Sequence, residues 1–183
     1  RTFNDMVSRI GMLVAEGEIN YDVLVLHTIE SAWLTIEFGK PQSEVCNDML
    51  STMTALEQAQ IQYHLGDGRI MERYGSVEGQ RLKVGTQKYS VVVVPPCTCL
   101  GKSTYNLLAQ FKENGGTIIF VNNVPSMIDG VETDCFEFLV EGCPVVSFAD
   151  LGATVPETAR RVKLLGEETD TKPVITLVRD FSD

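Results

Sequence analysis

The chain is poor in the residue types that most chemistry draws on. His27 and His64 are its two imidazoles and Trp33 its one indole. Cys46, Cys97, Cys99, Cys135 and Cys143 form an odd set, and neither the Cys-x-Cys of 97 and 99 nor any other spacing matches a zinc pattern. A metal centre therefore has little support, and a Cys135 to Cys143 disulfide would need an oxidising compartment. Neither G-x-G-x-x-G nor G-x-x-x-x-G-K-[ST] occurs, so the glycine cradles that bring backbone amides to a phosphate are missing. No run approaches eighteen apolar residues, which leaves no candidate for a membrane-spanning helix. Basic side chains are outnumbered 15 to 25, and the formal charge of -10 repels a phosphate backbone and an anionic lipid surface alike. Nucleic acid and membrane are not expected partners, and no cofactor is expected.

What remains is enough for a sizeable core: 183 residues, 44% of them hydrophobic, suit one globular domain. The chain opens on Arg1 without a leader pattern, the expectation for a piece of a longer protein.

Its apolar residues fall into two periods. Phe3, Val7, Ile10 and Val14 recur at helical spacing before Gly17, predicting an amphipathic helix over 2–16 that docks on its own domain or a neighbour. "YDVLVL" at 21–26, "IQYHL" at 61–65, "YSVVVV" at 89–94, "TIIFV" at 117–121, "CPVVSF" at 143–148 and "KPVITLVRD" at 172–180 read as strands. Between them, helices are predicted along the stripe of Val45, Met49, Met53, Leu56 and Ala59, over 103–113, and over 155–165 behind Thr154 and Pro156. Residues 66–88, rich in glycine and charge, read as an irregular excursion with at most a short β-piece at 81–84. Strands alternating with helices predict an α/β fold: an open, mostly parallel sheet with helices on both faces.

Ligands of such sheets bind beyond the carboxyl ends of the strands, which selects three loops: "HTIESAW", "PPCTCLG" and "NNVPSM". Cys97 and Cys99 precede a helix whose positive end would favour a thiolate, and His27 with Glu30 could complete a cysteine-hydrolase constellation. The competing reading is that small apolar thiols pack under a turn forced by Pro95 and Pro96. The hydroxyls of Thr28, Ser31 and Thr35 only loosely mimic a flavin phosphate loop. Glu30, Glu37, Asp129, Glu132, Asp134 and Asp150 offer carboxylates for sugar chemistry without any pair standing out. Trp33 can stack on a sugar or act as a hydrophobic cap under its loop, and His64 reads as structural.

Two long segments carry a family resemblance. "RTFNDMVSRIGMLVAEGEINYDVLVLHTIESAW" and "RLKVGTQKYSVVVVPPCTCLGKSTYNLLAQFKENGGTIIFVNNVP", covering most of residues 1–125, resemble a non-catalytic domain of large glycoside hydrolases. The chain is similar to the β-galactosidase trimerisation domain and to the matching domain of α-L-rhamnosidase-like enzymes, both flavodoxin-like and class I glutamine amidotransferase-like. Residues 126–183 match only in outline. In true amidotransferases of this class the nucleophilic cysteine stands on an elbow after the strand that here is "TIIFV", where this chain has Asn122 and Asn123. Cys97 and Cys99 match the oxyanion-hole side instead, which makes "PPCTCLG" a structural corner. The resemblance implies no catalytic residues in this chain. It implies packing beside a separate catalytic barrel, support of a homo-oligomer, and a parent enzyme in a bacterial periplasm or outside the cell. His27, Glu30, Trp33, Asn122, Asn123 and Met127 are the contact candidates it suggests; an amidotransferase-like hydrolase using Cys97 or Cys99, with His27 and Glu30, is the alternative.

Overall fold

The computed structural model describes residues 2–37, 43–162 and 176–181. Its centre is a five-stranded sheet built from Val23–Leu26 (β1), Tyr63–Gly66 (β2), Val91–Val94 (β6), Thr117–Val121 (β8) and Val145–Val146 (β11). Every pairing is parallel and the spatial order is β11-β8-β6-β1-β2. Counting only these strands, that is the 2-1-3-4-5 order of a doubly wound, flavodoxin-like fold. The runs "VLVL" and "VVVV" are apolar at every position because both faces are covered. Leu24, Leu26, Val92, Val94, Ile118 and Phe120 point into one core, and Val23, Val25, Val91, Val93, Ile119 and Val121 into the other.

Ile29–Glu37 (α2) and Ser43–Gln58 (α3) cross from β1 to β2, Lys102–Glu113 (α5) from β6 to β8, and Phe136–Val140 (α6) from β8 to β11. Phe148–Thr154 (α7) follows β11. Leu108 and Phe111 of α5 and Leu139 of α6 fill the first core, while Leu56 of α3 and Leu151 of α7 fill the second.

Residues 66–88 are far more regular than their composition suggests. Asp67 caps Gly68–Tyr74 (α4), accepting from the amides of Arg69 and Ile70 at 3.0 Å. Gly75–Glu78 (β3), Arg81–Val84 (β4) and Gln87–Tyr89 (β5) then form an antiparallel meander. Its two turns are supplied by Gly79 and Gly85, at φ 58° and 61°, a region other residues enter at a cost. Leu82 and Tyr89 are its buried anchors. The meander was hidden because the glycine and charge that read as irregular are its turns and its solvated face.

Other expectations change as well. "HTIESAW" is no loop: after Thr28 the chain enters α2 directly, so Trp33 is a helical residue. The helix expected over 155–165 gives way to α7, which starts earlier. Ser147 accepts from the amide of Asp150 and donates to its carboxylate at 2.6 Å, and Val155, held extended before Pro156, ends the helix. Only a 3-10 turn, Glu157–Ala159, follows, and 163–165 lie outside the described residues. The strand expected over 172–180 falls partly outside them too; its described part makes one antiparallel bridge, Asp180 with Glu18.

The N-terminal helix is Thr2–Ala15 (α1). Gly17, at φ 76°, turns the chain, and Arg179 donates to the carbonyls of Glu16 and Gly17 at 2.5 and 2.9 Å, satisfying the open helix end. It is expected to dock on its own domain or on a neighbour, and the other described residues do not cover its apolar face. Phe3, Met6, Val7, Ile10, Met12 and Val14 keep 42 to 69% of their surface in solvent.

Candidate functional site

In this strand order the chain leaves β1 in one direction and β6 in the other, so a crevice opens between their carboxyl ends. It is an open cleft of about 730 Å³. Three helix starts surround it. Glu30 and Trp33 come from α2, where a separation of three residues puts them on one face. Asp67, Gly68, Arg69 and Glu72 come from the start of α4, and Gly101, Lys102, Ser103 and Asn106 from the start of α5.

The fourth wall is set by the "PPCTCLG" corner. Cys99–Leu100 (β7) pairs in parallel with Met127–Ile128 (β9), which pairs in turn with Val131–Glu132 (β10). This ribbon delivers Asp129, at φ 50°, to the amino end of α5, where its carboxylate accepts from the Lys102 amide at 3.0 Å. Asp129 thus replaces the side-chain cap that Gly101 lacks. The corner itself hangs on Ser31. Its buried hydroxyl accepts from the amides of Thr98 and Cys99 at 3.0 and 2.9 Å and lies 3.1 Å from the Cys99 carbonyl, to which it donates.

Glycine lets the walls close on Glu30. A β-carbon on Gly68 would stand 2.9 Å from Glu30 Oε1, and one on Gly101 3.3 Å from it. Burial lifts the Glu30 carboxyl above its ordinary range; its own backbone amide opposes this, Asp67 adds to it, and His27 and Asp129 make smaller opposite contributions. A carboxyl whose folded pKa exceeds its unfolded one holds more protons when folded. Stability is therefore present below the ordinary carboxylate range and lost as pH rises through the raised value. Glu30→Gln is expected to be more stable than the parent at neutral pH, with the gap closing near pH 4. Urea midpoints at both pH values check this, and an unchanged gap would show that the charge of Glu30 is not strained.

Cys97 and Cys99 sit behind this crevice, 5% and 1% exposed. Burial pushes both thiols up, with nearby Glu30 adding to each. An activated thiolate needs a shift in the opposite direction. The Cys99 sulfur accepts from the Gly130 amide at 3.3 Å, and the Cys97 carbonyl accepts from the Asn123 side chain at 2.9 Å. All five cysteines are free thiols, including Cys135 and Cys143. His27 is exposed on the far side of α2, lining a smaller apolar hollow of about 260 Å³ with Val45, Met49 and Met53 of α3.

No family model matches the chain. A search of curated proteins gives no match either.

Of the six contact candidates, the structure brings Glu30 and Trp33 into the crevice. Asn122, at φ 58°, marks a sharp elbow at the end of β8 and exposes an amide there; Asn123 braces the corner; Met127 is a ribbon residue. Asp67, Arg69, Glu72, Lys102 and Asn106 escaped the sequence reading. Asp67 and Gly101 did carry a signal, since each stands between a strand or turn and a helix start. His64 is structural: half-buried, with Nδ1 3.0 Å from the Tyr89 hydroxyl and its ring 4.7 Å from that of Tyr21. Among the described residues no cluster of three or more His, Cys, Asp or Glu is placed to hold a metal ion.

Proposed function

We propose that this chain is a non-catalytic interaction domain of a carbohydrate-degrading enzyme, which packs through α1 against a neighbouring catalytic barrel and can support an oligomer. One observation carries the reading. Phe3, Met6, Val7, Ile10 and Val14 of α1 are exposed along one side of the helix, and a stripe of this kind normally stays in solvent only until a partner covers it. Phe3, Val7, Ile10 and Val14 repeat at the spacing of one helix face, and Met6 lies beside them, so the surface offered is a continuous ridge. The Arg179 contacts hold the end of that ridge in place. The resemblance to accessory domains of glycoside hydrolases names the neighbour, and the buried, unactivated thiols support a role without covalent catalysis.

Cross-linking and mass spectrometry on the protein purified with its native partners test this. Links from α1 to a glycoside hydrolase barrel are expected, and Val7→Asp with Ile10→Asp should abolish them while leaving the domain folded. Links from α1 only to its own domain would overturn the reading, as would hydrolysis of nitrophenyl glycosides by the isolated chain at enzymatic rates.

A further inference from the structure

We infer that the switch-point crevice is a binding site for a neutral carbohydrate, with the indole of Trp33 as its stacking platform and charged groups on both sides of it addressing the hydroxyls. This site uses nothing from α1 and stands or falls separately from the docking proposal.

The argument begins with Trp33. A tryptophan serving as a hydrophobic cap would be buried, yet this one is 54% exposed and lines the crevice. A half-exposed indole lining an open crevice of about 730 Å³ offers an apolar plate the size of a sugar ring in a cleft of ligand-binding size. Glu30 stands one helical turn away on the same face, half-buried between Gly68 and Gly101.

The polar lining selects among ligand classes. An anion such as a phosphate would look for the helix starts, but Asp67 already occupies that of α4 and Asp129 that of α5. Four carboxylates, Glu30, Asp67, Glu72 and Asp129, would repel it. An organic cation would suit those carboxylates and the indole, but it would meet Arg69 and Lys102 in the same lining. Among the described residues these two cations form no ion pair, although carboxylates line the same crevice. Donors and acceptors thus face the space separately, with Asn106 able to act as either. A ligand whose groups both donate and accept, without net charge, satisfies such a lining; a sugar presents that pattern around a ring with apolar faces.

Trp33 is the only tryptophan, so its emission reports on the site directly. The 183-residue chain would be titrated with glucose, galactose, mannose, cellobiose and lactose, with spermidine and inorganic phosphate as the charged alternatives. A saturable change in emission with at least one sugar is expected, and a smaller response or none with the charged probes. Glu30→Gln should weaken the sugar response about tenfold, the usual cost of losing a hydrogen bond to a charged group. Trp33→Ala, followed by saturation-transfer NMR, should abolish binding while leaving the unfolding curve unchanged, since the side chain is exposed. A response to spermidine or phosphate in preference to every sugar overturns the proposal, as does a flat titration with all five sugars at concentrations up to their solubility.

Discussion

Iodoacetamide is expected to label Cys46 and Cys135 rapidly in the native protein and to leave Cys97 and Cys99 essentially unmodified. The contrast follows from position. Cys46 and Cys135 are exposed, whereas Cys97 and Cys99 lie in the wall behind the crevice. Burial there raises both thiols, so at neutral pH almost none of either is thiolate, and the thiolate is the reacting species. Reaction then waits for local or global opening. With a domain stability in the usual range, the buried pair should label about a thousandfold more slowly than the exposed pair, or slower still. Peptide mass spectrometry over a time course and a pH series reads all five sites at once. Fast labelling at Cys97 or Cys99 with an apparent pKa below about 7 would restore the cysteine-hydrolase reading. It would also direct attention to glutamine, ester and amide substrates.

The second large effect is expected at Ser31. Ser→Ala changes are often mild, but this hydroxyl is 1% exposed and serves three backbone groups of the "PPCTCLG" corner. Ser31→Ala would leave the part-buried amide of Thr98 and the buried amide of Cys99 without their acceptor, the latter in a place water cannot easily reach. At about 1–3 kcal/mol for each buried group left unpaired, the total loss should be about 3 kcal/mol. Urea unfolding of parent and variant measures it. A loss within about 0.5 kcal/mol, the range of ordinary surface substitutions, would show that the corner holds itself without α2. The same variant joins the two predictions: once the corner loosens, labelling of Cys99 should accelerate more than labelling of Cys46.

Cys97, Cys99 and Ser31 also show how differently parts of the molecule can be read. Along the chain, Cys97 and Cys99 stand out because a thiol before a helix is a familiar catalytic arrangement. Ser31, in the same linear view, is only one hydroxyl of a weak flavin-like pattern. That the thiols are inert and the hydroxyl holds the corner depends on depth, and depth is a property of packing across the sheet. Trp33 went the other way: expected to cap a loop from below, it stands half in solvent because the segment is a helix whose face turns toward the crevice.

The fold was legible because its signals are local. Uninterrupted "VLVL" and "VVVV" can be satisfied only in a strand covered on both faces, and the helices between them impose parallel, right-handed connections. The meander after α4 was not legible, since Val77, Leu82, Val84 and Tyr89 mean little until β3, β4 and β5 are laid side by side. Nor was the crevice. Its residues come from positions 29–33, 67–72, 101–106 and 129, and no pattern along the chain links them.

The sequence by itself determined the class of fold, the placement of the central strands, the acidic surface and the amphipathic character of the first helix. Each of these follows from hydrophobic period or from charge, which act over a few neighbouring residues. The tertiary structure alone decided that the apolar face of α1 stays uncovered by the other described residues, that Cys97 and Cys99 are buried, and that Asp129 closes the start of α5. It also decided that Glu30 and Trp33 meet Arg69 and Lys102 around one space. Those outcomes depend on which elements meet across the sheet, and distance along the chain does not encode that.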